Sequence, residues 1–294
     1  MTTPAWGDAM NRFPRRAARG AGALRCLLIG LLLGLLPGSG AMAQSTSEAV
    51  DQSALRVCAD PGNLPFSDRS GAGFENRIAE LLAEALGVPL RYTWFPQATG
   101  FVRNTLAARR CDLVTGVSLG FELLQNTNPY YRSAYVLVQR RDGGPGAASL
   151  DDPALRDRTI GVVAGTPPAS LLVGRGLIGK ARPYPLMVDA RFERPGEKMI
   201  HDIATGEIDA GLLWGPIAGY YASKSEVPLT LLPLTAGPEE PAMAYYITMG
   251  VRFGEPEWKQ QVNRLLDEKQ AEIQAILQDY GVPLLDRQGK PIEP

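Results

Sequence analysis

Residues Leu55–Ser118 read LRVCADPGNLPFSDRSGAGFENRIAELLAEALGVPLRYTWFPQATGFVRNTLAARRCDLVTGVS, and the hydrophobic period changes several times along them. Leu55–Ala59 has strand composition and runs into a Pro/Gly/Asn loop. A helix follows, with apolar residues at Ile78, Leu81, Leu82, Ala85 and Leu86, the i, i+3, i+4, i+7, i+8 stripe of one helical face. Gly87 stands where that helix needs a left-handed residue to stop. A strand over Leu90–Phe95, a helix over Gly100–Arg109 and a strand over Asp112–Val117 complete the unit. This alternation within about 60 residues predicts a parallel sheet with right-handed crossovers. Ligands of such sheets sit at the carboxyl ends of the strands, here Ala59–Phe66, Phe95–Gln97 and Gly116–Ser118.

Before this unit, Arg12, Arg15, Arg16, Arg19 and Arg25 precede a short apolar run, Cys26–Leu36, and Ala41-Met42-Ala43 has the A-x-A form of a cleavage site. Residues 1–43 are therefore expected to be a secretory signal peptide. The apolar run, about 11 residues, is short for a bilayer-spanning helix. Without this segment the chain carries 25 basic and 30 acidic residues, net −5, a balance that argues against nucleic acid or an anionic lipid surface as partner. Cys58 and Cys111 then remain in an oxidising compartment. Parity and compartment favour a disulfide between them. Strand register opposes it, because Cys58 lies late in one strand and Cys111 at the start of another. That offset is roughly 13 Å between parallel neighbours, and a bridge needs Cα atoms within about 7 Å.

After Ser118, Leu119–Asn128 has helical composition and leads to a strongly apolar strand, Ala134–Arg140. The Gly/Pro run Asp142–Gly146 reads as a crossing between domains. A second alternating unit follows: strand Thr159–Val163, a helix near Ala169–Gly174, a short strand at Leu186–Val188, helix Pro195–Gly206, strand Ile208–Leu213, helix Pro216–Ser223 and strand Leu229–Pro233. A second Gly/Pro break, Gly237–Pro241, precedes strand Ala244–Val251 and one long amphipathic helix, Glu255–Tyr280. The predicted fold is α/β, with lobe 1 from residues 54–140 plus 245–294 and lobe 2 from 145–240, closing like a clam on a central cleft.

The motifs Pro65-Phe66, Gly73-Phe74-Glu75, Cys111-Asp112-Leu113-Val114, Asn128-Pro129-Tyr130-Tyr131, Gly165-Thr166 and Gly206-Glu207-Ile208-Asp209-Ala210 resemble those of type II periplasmic solute-binding proteins, the receptors of ABC importers. The resemblance spans nearly all of residues 54–282 and implies the periplasmic binding protein-like II fold, with two crossover strands as hinge. Two departures stand out. The amino-acid-binding members hold the ligand carboxylate with an Arg nine residues before the motif Pro, where this chain has Gly120. They hold the ammonium with an Asp five residues after the Asp-Ala strand start, where this chain has Trp214. Both natural grips on a zwitterion are gone, and an aromatic in their place would narrow the cleft or stack on something flat or cationic.

A narrower resemblance rests on Cys58-Ala59-Asp60-Pro61, Gly73-Phe74-Glu75-Asn76, Tyr92–Gln97, Gly100–Leu106 and Pro129-Tyr130-Tyr131-Arg132-Ser133. These are similar to the MxaJ/XoxJ type of solute-binding-like protein that accompanies quinoprotein methanol dehydrogenases. The resemblance implies a periplasmic accessory protein that assists activation or maturation of a pyrroloquinoline-quinone (PQQ) alcohol dehydrogenase, with that enzyme and its cytochrome c as partners. The alternative is an importer receptor for a small ligand other than an amino acid.

The cleft candidates are Asp60, Asn63, Phe66, Glu75, Gln97, Ser118, Thr166 and Trp214. Thr166 precedes a helix N-terminus, a ready anion site. Asp60 and Glu75 could serve a hard cation, but read more simply as a loop cap and a first-turn acid. No metal site, cofactor or catalytic set is expected. The only histidine, His201, falls mid-helix with no Ser/His/Asp partners, and there is neither a phosphate loop nor zinc-type spacing. An enzyme acting on a carboxylate would need the grip that Gly120 has lost. The Trp94-Phe95-Pro96 run reads either as core or as an exposed docking face.

Overall fold

The computed structural model describes residues 50–143, 146–186, 188–189 and 192–293. The expected signal peptide, the Gly144-Pro145 pair and Met187 lie outside them. In chain order the elements are β1 (Leu55–Ala59), β2 (Gly62–Asn63), β3 (Ser67–Asp68), α1 (Phe74–Leu86), β4 (Leu90–Trp94), α2 (Phe101–Asn104), β5 (Leu113–Ser118) and β6 (Gln125–Arg140). There follow β7 (Ile160–Val163), α3 (Pro167–Gly174), β8 (Ala181–Tyr184), α4 (Pro195–Thr205), β9 (Ala210–Trp214), α5 (Gly215–Ala222), β10 (Leu229–Pro233), β11 (Ala244–Val251), α6 (Pro256–Glu268) and α7 (Gln270–Asp279).

The βαβαβ unit forms as expected, with β1 parallel to both β4 and β5. The order β4-β1-β5 puts the first strand in the middle, so the topological switch point lies between β1 and β5. The second unit repeats the pattern, with β7 parallel to β8 and to β9. These are the two α/β lobes of a type II periplasmic binding protein fold, joined through β6 and β11. β6 pairs with β11 over Gln125–Ala134, and with β9 and β10 over Tyr135–Arg140. At the change of partner, the Tyr135 amide donates to the Met243 carbonyl at 2.8 Å and the Leu234 amide to the Tyr135 carbonyl at 2.8 Å. The outgoing and returning chains are therefore bonded together where they cross.

Several elements differ from their sequence reading. Leu119–Asn128 is not helical: Gly120 turns the chain at φ 89° and Gln125 already begins β6. β6 runs through 16 residues because its second half is covered on both faces, leaving Val136, Leu137 and Val138 with no exposed surface. The expected helix 100–109 ends at Asn104, where the Thr105 hydroxyl caps the Phe101 carbonyl at 2.6 Å. The strand expected at 186–188 is found earlier, as β8. The long C-terminal helix breaks at Lys269 into α6 and α7. Gly87 ends α1 in the left-handed conformation, as its position predicts. The buried stripe of α1, however, is Phe74, Ile78, Ala79, Leu82 and Ala83, and Ala85 is exposed. Phe74 sets that rotation by packing edge-on against Phe66, Tyr131 and Tyr280, at 5.3, 6.2 and 5.9 Å between centroids.

Cys58 and Cys111 are bridged, with Cα atoms 5.5 Å apart. The offset of roughly 13 Å holds only for a Cys111 in line with its strand. Cys58 pairs instead with Val114 on one side and Thr93 on the other. The Thr93 hydroxyl donates to the Arg110 carbonyl at 2.6 Å. The chain thus enters β5 by crossing over β1 from the β4 side, which carries Cys111 above Cys58. Asp112, next along, is 1% exposed and held between Arg56 at 2.6 Å and Arg252 at 2.5 Å, with the Trp258 indole on its carbonyl. The C-terminal turn straps lobe 2 to this core: Tyr280 stacks on Tyr220 at 5.9 Å, and Ser133 Oγ donates to the Pro283 carbonyl at 2.7 Å.

Candidate functional site

A cavity of about 130 Å³ lies at the carboxyl ends of β1, β5 and β9, the place the switch-point rule selects. Its wall is Ala59, Asn63, Phe66, Ser67, Glu75, Gln97, Thr115, Gly116, Ser118, Tyr131, Trp214 and Ile247. Among the sequence candidates, Asn63, Phe66, Glu75, Gln97, Ser118 and Trp214 come together here. Asp60 and Thr166 are not among the lining residues. The Asp60 carboxylate is buried behind the wall, accepting from the Gly62 amide at 2.9 Å and the Gln97 amide at 2.6 Å. It thereby fixes the loop that presents Gln97. Thr166 starts α3 with its hydroxyl turned back to the Val163 carbonyl at 2.6 Å.

Glu75 stands at N2 of α1 and is 3% exposed. The Tyr130 hydroxyl donates to its carboxylate, at 2.7 Å to Oε1 and 2.9 Å to Oε2, and in turn accepts from the Gly116 amide at 3.1 Å. Burial pushes the Glu75 pKa up to about 7, against the opposing pull of hydrogen bonds from Tyr130 and Thr115. The Tyr130 and Tyr131 phenols are pushed well above their ordinary range, by burial first and the nearby Glu75 charge second. No lysine, arginine or histidine lines the cavity, and Glu75 is the one carboxyl among its lining residues.

The aromatic side of the cavity is braced from lobe 2. Trp214 packs edge-on against Tyr135 at 5.2 Å and Tyr245 at 5.9 Å. Asn63 Nδ2 donates to Gln97 Oε1 at 3.0 Å and so links the two loops at the rim. Gly120 lies on an exposed turn, is not among the cavity's lining residues, and donates its backbone amide to Asn126 Oδ1 at 3.1 Å. Sequence reasoning missed Ser67, Thr115, Tyr130, Tyr131 and Ile247, whereas Gly116 fell inside the strand end it named. The Asn-Pro-Tyr-Tyr motif flagged the tyrosines as family markers, but nothing local says that Tyr130 reaches Glu75 from 55 residues away. Trp94 and Phe95 are both partly buried, with Trp94 stacked on Tyr92 at 4.4 Å, so the run is neither core nor a bare docking face.

The arrangement can bind a molecule of a few heavy atoms. A dry cavity of about 150 Å³ in another protein holds benzene, which sets the scale. The described residues contain no group of three or more His, Cys, Asp or Glu side chains placed to hold a metal, and no helix long and apolar enough to cross a membrane.

No family model matches the chain. It is 31% identical to Protein MoxJ of Methylorubrum extorquens AM1 over 294 residues, covering 92% of this chain and 96% of that protein. It is 30% identical to Protein MoxJ of Paracoccus denitrificans over 264 residues, covering 84% and 95%. Among solved structures it is similar to the periplasmic binding protein XoxJ of Methylobacterium extorquens AM1, with 44% identity, a TM-score of 0.68, and coverage of 79% of this chain and 100% of that one.

Proposed function

The chain belongs to the MoxJ family of periplasmic binding proteins, and on that premise we propose that it is an accessory protein of a PQQ-dependent alcohol (methanol) dehydrogenase. It works in the periplasm once residues 1–43 are removed, and it assists activation or maturation of the enzyme by protein contact. The observation that supports this reading is the loss of both zwitterion grips in the sequence: Gly120 and Trp214 stand where the resembling amino-acid receptors carry Arg and Asp, and Trp214 is part of the cavity wall. A face for the partner is supplied beside the cleft, where Leu119, Phe121 and Leu123 are 52%, 43% and 66% exposed on one turn. We place the lobe boundary at Ala134/Tyr135 and at the return through residues 234–243, where the strand pairing changes.

The test is a pull-down from periplasm with the mature tagged protein, read by mass spectrometry. Recovery of a quinoprotein dehydrogenase or its cytochrome c is expected, and Leu123→Asp should lose it. If neither enzyme nor cytochrome is retained above a bead control, and the protein leaves dehydrogenase activity unchanged, the accessory reading fails. The cavity itself favours a second reading, a receptor that delivers a small ligand other than an amino acid to an importer.

A further inference from the structure

We infer that the cavity between the lobes is a site for a small organic cation, with Glu75 as its counter-ion and Phe66, Tyr131 and Trp214 as its aromatic wall. The inference concerns what the cavity holds and stands whether or not a dehydrogenase is the partner.

Charge is the first feature. The lining contains one ionising carboxyl and no basic side chain. An anion would meet Glu75 with nothing to offset the repulsion, and a zwitterion would leave its carboxylate without a guanidinium. A cation supplies the charge that the buried carboxylate lacks. The hydrogen-bond inventory points the same way. A carboxylate accepts at about four positions; the Tyr130 hydroxyl and Thr115 leave part of that capacity free on a residue that lines the cavity. The amide of Asn63 spends its donor side on Gln97, leaving its oxygen as a further acceptor at the rim. The walls add the third feature. Phe66, Tyr131 and Trp214 line one small volume together, and cations are held over aromatic rings. Size is the last constraint: about 130 Å³ admits a methylated ammonium and excludes a long polyamine.

Protons report the same contact. The titratable groups against Glu75 are Tyr130 and Tyr131 on β6 and Tyr92 on β4, all phenols whose pKa is raised, so they stay neutral through the working range. Binding a permanent cation must therefore drive a proton off Glu75 itself.

The experiment is calorimetry on the mature protein with methylammonium through tetramethylammonium, against tert-butanol as a neutral shape match and acetate as an anion. The ammonium series is expected to bind and the two comparators not. Tetramethylammonium should release about half a proton per site at pH 7, and progressively less by pH 9, measured in buffers of different ionisation enthalpy. Glu75→Gln should weaken binding by about tenfold or more. The inference is overturned if no ammonium binds, if tert-butanol or acetate binds as well, or if Glu75→Gln leaves affinity unchanged. Should that variant fail to fold, binding without proton release in the unaltered protein overturns it equally. None of these outcomes touches the pull-down, so the two readings fail separately.

Discussion

Glu75→Gln should make the protein more stable at pH 8 while leaving it nearly unchanged at pH 4.5. In the folded chain the carboxyl ionises at about 7, because burial outweighs its hydrogen bonds. In the unfolded chain it ionises at its ordinary 4.5. Below 4.5 both states hold the proton and the group is silent. Between those values the unfolded chain has released a proton that the folded one retains, so raising the pH favours unfolding. The slope is about 1.4 kcal/mol per pH unit, and the loss accumulated by pH 7 is about 3 kcal/mol. Above pH 7 both states are ionised and the penalty is constant. Glutamine has no proton to lose, and its amide oxygen still accepts from the Tyr130 hydroxyl. The variant should therefore lack this slope and gain about 3 kcal/mol over the parent at pH 8, a rise of about 6–12 °C in Tm. Urea melts of both proteins at pH 5, 6, 7 and 8 provide the measurement. Every other titrating group is common to the two and cancels in the difference. Parallel stability profiles would refute the reasoning, since they would mean that Glu75 ionises alike in both states and is not buried in a neutral setting.

The Cys58–Cys111 bridge closes a separation of 53 residues, worth about 4 kcal/mol on the chain-entropy account. The double variant Cys58→Ala/Cys111→Ala should lower the urea midpoint accordingly, and a loss below about 1 kcal/mol would show that packing alone holds that corner. Gly219→Ala should destabilise by about 1–3 kcal/mol or more, because a Cβ there would stand 1.8 Å from the Gly281 carbonyl oxygen. A thermal melt matching the parent would dismiss the close contact between α5 and the C-terminal turn.

The parallel order of the first unit was legible because each element has a local cause: an apolar strand, a 3.6-residue stripe, a glycine stop. The cleft loops were legible for the same reason, since a parallel βαβ sheet exposes its strand ends at one edge. Asn63, Phe66, Gln97 and Ser118 could be named from strand boundaries and Trp214 from the family resemblance, and the five share one cavity. The failures have a common source. Leu119–Asn128 has the composition of a helix, but Leu119, Gln125 and Asn126 pair with β11 and Gly120 turns the chain between them. The disulfide was left open in the sequence, favoured by parity and compartment and opposed by register; the bridge forms because the chain bends over β1 before it enters β5, which a count along a straight strand does not see.

The sequence by itself determined the alternation of strands and helices in the two α/β units and the identity of most loops at the cleft, because each is fixed by residues close together in the chain; the loss of both zwitterion grips followed from the family resemblance. Only the tertiary structure decided that Glu75 is a cavity group rather than a first-turn acid. Its burial and its bond to Tyr130 depend on strands distant in sequence closing over the start of α1, and the desolvation of a charge depends on everything packed around it.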